Sequence, residues 1–86
     1  MLIRSQDKKE LHNLDRISMI RILPTIESEY VVEVNSQRVI GVYSTEEKAI
    51  KVLDMIQDAY EEANSVCTMS GFVANTVFQM PQDSEV

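Results

Sequence analysis

Residues 44–63, STEEKAIKVLDMIQDAYEEA, decide how this chain of 86 residues folds, because their pattern admits one reading. Ser44 followed three residues later by Glu47 is the signature of a capping box, in which each side chain satisfies a backbone N–H at the start of a helix. Beyond it Ala49, Val52, Leu53, Ile56, Ala59, Tyr60 and Ala63 recur at spacings of three and four, so they gather on one face of an amphipathic helix. That face requires an apolar surface to cover it, and the residues before the helix supply a sheet.

Immediately upstream, Arg38 to Tyr43 (RVIGVY) and Glu29 to Val34 (EYVVEV) read as two strands joined through the turn residues Asn35-Ser36-Gln37. Gly41 interrupts the second strand and marks either a bulge or a close approach of the helix. Arg16 to Leu23 (RISMIRIL) is a further strand by its β-branched content, closed by Pro24. Strict alternation sets Ile17, Met19 and Leu23 on one side and Ile20 and Ile22 on the other. Met1 to Ser5 is a brief strand followed by a polar turn. Glu10 to Leu14 returns from it with Leu11 inside and His12 and Asn13 near the surface.

Downstream, Asn64 to Gly71 reads either as a further turn of the helix or as a loop that Gly71 ends. A last strand over Thr76 to Met80 returns to the sheet beside the first, and Pro81 begins a flexible polar tail over 81–86. The expected fold is a single α+β domain: an antiparallel sheet of about four to five strands with one long amphipathic helix on one face, in the order β-β-β-β-α-β.

Composition narrows the function classes. The chain is 44% hydrophobic and 26% charged with two Gly and two Pro, the profile of an ordinary globular domain. Its net charge of −6 is unevenly placed: residues 1–43 balance to zero, whereas the helix carries −4 and the tail −2. With a pI of about 4.6 and no basic run beyond Lys8-Lys9, direct binding to nucleic acid or to an anionic membrane is not expected. No apolar run approaches the roughly 18 to 20 residues of a membrane span, so a cytoplasmic protein is expected.

Chemistry-bearing residues are sparse. One histidine, His12, and one cysteine, Cys67, make neither a metal site nor a redox pair, and no cofactor is expected. His12 reads as a surface histidine near Glu10 and Asp15, and Cys67 as a buried small thiol. No nucleophile elbow, zinc-protease, phosphate-loop or dinucleotide pattern occurs, so no catalytic residue is assigned. The acidic helix face, Asp54, Asp58, Glu61 and Glu62, reads as a solvated surface with partner recognition as its second meaning.

The run GVYSTEEKAIKVLDMIQ (41–57), the opening MLIRSQD and the close FQMPQDSEV together resemble a group of small proteins of Gram-positive bacteria and their phages or prophages. The likeness covers about half the chain. The group has no assigned activity, so it implies a cytoplasmic, prophage-encoded accessory protein and transfers no site residue.

The leading functional expectation is a non-enzymatic interaction or assembly module. On strict alternation Ile20, Ile22, Val31, Ile40 and Val42 project from the sheet face that the helix does not cover, with Ile50 and Met55 as further apolar candidates outside the helix stripe. A homodimer through that face, or another protein partner, follows as the expectation. Two alternatives stand beside it: an acidic decoy that occupies a nucleic-acid-binding protein, and a small enzyme working through carboxylates.

Overall fold

The computed structural model describes residues 1–70 and 77–86, with side chains described for 1–63 and 77–86. In chain order the elements are β1 (Leu2–Arg4), β2 (Leu11–Asn13), a 3₁₀ turn over Leu14–Arg16, β3 (Ile20–Pro24), β4 (Tyr30–Val34), β5 (Arg38–Tyr43), α1 (Glu46–Ser70), β6 (Val77–Gln79) and a 3₁₀ turn over Asp83–Glu85. The fold is α+β. Its strands form two three-stranded sheets, β3-β4-β5 and β2-β1-β6, where one sheet was expected, and five strands precede the helix where the expected order had four. β6 lies beside β1 as expected, and it runs parallel to it. The helix continues through Asn64 to Ser70. The burial expected of Cys67 and the apolar pattern of residues 72–76 lie outside the described residues.

The antiparallel meander β3-β4-β5 follows from local chemistry. Asn35 and Ser36 both adopt left-handed backbone, with φ of 53° and 59°, which matches the twist of a tight hairpin. The Asn35 carboxamide oxygen also accepts from the N–H groups of Ser18 (2.8 Å) and Met19 (3.3 Å), fastening the chain entering β3 to the hairpin tip. In the ladder, Ile20 pairs with Val34 and Ile22 with Val32. Cross-strand partners share a face, so Ile20 and Ile22 point toward the helix beside the buried Val34 and Val32. This reverses the orientation expected for them.

A bulge in β5 produces the second departure from alternation. Val32 opposes Gly41 while Glu33 opposes Val39, which leaves Ile40 as an extra residue. Simple alternation would place Ile40 and Tyr43 on opposite faces, yet both are buried in the core. The expectation that Ile40 sits on the uncovered face is therefore also corrected. Gly41 is required where it stands: a Cβ there would lie 2.9 Å from the Tyr43 ring and 3.1 Å from the Met80 methyl, so the close neighbours are Tyr43 and Met80.

The core consists of Val32, Val34, Ile40 and Tyr43 from the meander, Ala49, Val52 and Ile56 from α1, and Ile3 and Met80 from the other sheet region. Ala49, Val52 and Ile56 are the centre of the helix stripe, while Leu53, Ala59, Tyr60 and Ala63 are half-buried along its margins. The register of β2 corrects another expectation. Leu11 pairs with exposed Arg4 and is itself 58% exposed, whereas His12 pairs with buried Ile3 and turns inward.

The helix start also differs from the expected box. Thr45 is the cap, its hydroxyl accepting from the Lys48 N–H at 3.1 Å and its carbonyl accepting from Ala49 N–H at 3.2 Å. Ser44 is engaged elsewhere, with both its N–H and its hydroxyl donating to Asp83 Oδ1 (2.8 and 3.1 Å). Thr45→Ala is accordingly expected to lower stability by about 1 kcal/mol through loss of the cap. Ser44→Ala keeps the helix start and instead loosens the C-terminal segment. Urea unfolding for Thr45→Ala and amide exchange in residues 82–86 for Ser44→Ala separate the two roles.

Candidate interaction surfaces

Among the described residues, several side-chain hydrogen bonds converge where the two sheets and the C-terminal segment meet. Gln6 donates its backbone N–H to the Ile40 carbonyl (2.8 Å) at the β5 bulge. Its carboxamide then accepts from Val42 N–H (2.9 Å) and donates to the Val42 and Pro81 carbonyls (both 3.1 Å). The side chain thereby takes the place of the next peptide of a strand and covers the outer edge of β5. Pro81 is held again by the buried Tyr43 hydroxyl at 2.8 Å, and Gln82 donates to the Gln6 carbonyl at 2.8 Å. Burial, with Asp83 and Glu85 nearby, pushes the Tyr43 phenol far above its ordinary value, so it remains a donor at all physiological pH.

Residues 81–86 are thus bound to the domain, where a flexible tail was expected. Asp83 receives the two Ser44 donors and faces Lys48, whose ammonium lies 3.1 Å from its carbonyl and 3.5 Å from Oδ2. The Ser44 backbone N–H holds the Asp83 carboxyl below the usual carboxylate range; desolvation opposes it next, and the Ser44 hydroxyl and Lys48 add to the lowering. Asp7 is lowered in the same sense, first by the Ser5 hydroxyl at 2.6 Å and then by the Lys9 N–H, which orders the turn between β1 and β2.

His12 contacts Glu10 at 2.9 Å, and the same carboxylate pairs with Arg38 at the start of β5. The cluster joins the two sheets at the surface, and its carboxylate is already neutralised by a guanidinium. Among the described residues no group of three or more His, Cys, Asp or Glu is placed to hold a metal ion. Nor, among them, is any helix long and apolar enough to cross a membrane.

Among the described residues two surfaces remain apolar. The first is the face of β3-β4-β5 away from the helix. Leu23, Val31 and Val42 align across the three strands, and Val39 opposes Glu33 in the next row, where Glu33 pairs with Arg21 at 3.0 Å. Val39 is 48% exposed and the other three are half-buried. Of the residues expected here, the structure retains Val31 and Val42, moves Ile20, Ile22 and Ile40 to the core side, and adds Leu23 and Val39. Ile50 and Met55 are exposed on α1, on the opposite side of the sheet, so they do not extend this surface. Gly41 was the signal that could have located the phase change, since a bulge beside it exchanges Ile40 for Val39.

The second surface is a groove of about 610 Å³ between α1 and the segment entering β3. Leu14, Ile17 and Ile20 form one wall and Leu53, Ile56 and Tyr60 the other, with Met19 at 43% exposure. Gln57 and Glu61, joined at 3.2 Å, edge it on the helix side. Alternation alone had no means of finding it, because the 3₁₀ turn over Leu14–Arg16 brings Leu14 and Ile17 alongside the helix.

No protein-family model, curated protein or solved structure matches this chain.

The contacts of Asp83 have a pH signature. Its folded-state pKa lies below the ordinary value of 3.8, so the stabilisation is fully present above that value and is lost as pH falls through the folded-state pKa. Asp83→Asn is expected to flatten the stability–pH curve on the acid side of 3.8 and to speed exchange of the Ser44 amide at neutral pH. Thermal melts across the acid range and hydrogen exchange at Ser44 measure the two effects.

Proposed function

We propose that the chain is a non-enzymatic protein–protein interaction or assembly module that pairs with a second copy of itself through the sheet face left uncovered by α1. The row Leu23, Val31 and Val42, continued by Val39, carries this reading. Each large aliphatic side chain fully withdrawn from water gains about 1.5 to 3 kcal/mol. A twofold contact needs a self-complementary surface. Arg21 and Glu33 beside the row provide it, since a dyad can set Arg21 of one copy toward Glu33 of the other.

The patch is small beside the roughly 800 Å² per partner of a standard interface, so the dimer is reversible and concentration-dependent. The polar groups that could suggest catalysis support a non-enzymatic role by their placement: Glu10, His12 and Arg38, like Ser44, Lys48 and Asp83, join strands and termini. The likeness of residues 41–57 and the two ends to small proteins of Gram-positive bacteria and their phages supports a cytoplasmic, prophage-encoded setting.

Sedimentation from about 10 to about 200 µM tests the pairing by mass action. The wild-type protein is expected to shift toward a dimer over that range, and Val31→Glu to remain monomeric with an unchanged circular dichroism spectrum. A wild-type chain that stays monomeric at the upper concentration ends the proposal.

A further inference from the structure

The two edges of the β3-β4-β5 sheet are treated differently. The outer edge of β5 is covered by Gln6, whereas β3 is the terminal strand on the other side. Asn35 N–H donates to the Met19 carbonyl (2.9 Å) and Thr25 N–H to the Glu29 carbonyl (2.8 Å), which sets the odd-numbered residues of this segment as those bonded to β4. The N–H and C=O groups of Ile20 and Ile22 therefore point away from the sheet, and among the described residues no backbone partner meets them. An uncovered row of this kind is a template for another strand.

The apolar groove lies next to that edge, and Ile20 belongs to both: its side chain lines the groove while its peptide groups face outward. Above the groove, Asp54, Asp58 and Glu61 follow at i, i+4 and i+7, so they form one acidic flank of α1. Among the described residues none of the three meets a Lys or Arg of this chain at salt-bridge distance.

We infer that the β3 edge and its groove bind an extended segment of another protein, which adds as a strand to β3, sets apolar side chains of alternate residues into the groove, and extends a Lys or Arg on the same side to Asp54, Asp58 and Glu61. Charge identifies the occupant. A second copy joined β3 to β3 about a twofold axis would bring the two acidic flanks face to face on the same side of the extended sheet, where like charges repel. A segment with basic residues on its groove side removes that repulsion and uses the free edge. The inference is independent of pairing through the opposite sheet face.

Fluorescence anisotropy with the labelled peptide Val-Thr-Ile-Thr-Lys-Thr-Arg tests it, because its alternate positions place Val, Ile, Lys and Arg on one side. Saturable binding is expected, weakened by added salt and weakened about tenfold or more when Glu replaces Lys and Arg in the peptide. Glu61→Lys and Asp54→Lys, both on the exposed helix surface, are each expected to weaken binding several-fold. Amide exchange at Ile20 and Ile22 should slow on binding. Absence of binding, equal binding of the acidic peptide, or binding without protection of Ile20 and Ile22 overturns the inference. So does protection of those amides that rises with protein concentration alone, which would place a second copy at the edge.

Discussion

The carboxamide of Gln6 is the contact on which the architecture depends. Two small sheets do not share a strand, and the segment leaving β1 must be joined to β5 without one. Gln6 accomplishes this with a backbone donor to Ile40 and a side chain that both accepts from and donates to Val42. Its second amide hydrogen reaches Pro81, so the C-terminal segment is bound by the same group. Without that junction the Ile40 carbonyl and the Val42 N–H and carbonyl on the outer edge of β5 would lose these partners, and each polar group left buried and unsatisfied costs about 1 to 3 kcal/mol. Ile3 and Met80 enter the common core because this junction brings β1 and the chain after β6 to the side of β5.

Once β5 is held in this way, its bulge determines what the two faces of the meander present. The extra residue at Ile40 allows two side chains three positions apart, Ile40 and Tyr43, to enter one core. The uncovered face is left with a short aliphatic row and one ion pair. The helix contributes a second consequence: its margin residues Leu53 and Tyr60 stand apart from the sheet far enough for Leu14, Ile17 and Ile20 to form the opposite wall of a groove. Among the described residues there are therefore two apolar surfaces, on opposite sides of the meander, and their charges differ. One carries a balanced Arg21–Glu33 pair and the other lies under an acidic helix flank.

Part of this arrangement was legible from residue order. The stripe from Ala49 through Ile56 and the β4–β5 hairpin around Asn35 and Ser36 follow from periodicity and turn chemistry. Helix spacing and hairpin turns are local, so the chain within about ten residues specifies them. The face assignment of Ile20, Ile22 and Ile40 was not legible. It depends on the pairing of Ile22 with Val32 and on one extra residue in β5, and a shift of a single residue exchanges every side chain between faces. Leu11 and His12 exchanged places for the same reason, since their facing is set by the pairing of Leu11 with Arg4.

By itself, then, the sequence determined an α+β chain with one amphipathic helix and an acidic helix surface. Tertiary structure decided the division into two sheets, the docking of residues 80–86 through Tyr43, Gln6 and Ser44, and the positions of the two apolar surfaces. The physical reason is range. Capping, helical spacing and turn propensity act between near neighbours, whereas Gln6 and Pro81, Ser44 and Asp83, or Leu14 and Leu53 are brought together only when the whole chain has closed around its core.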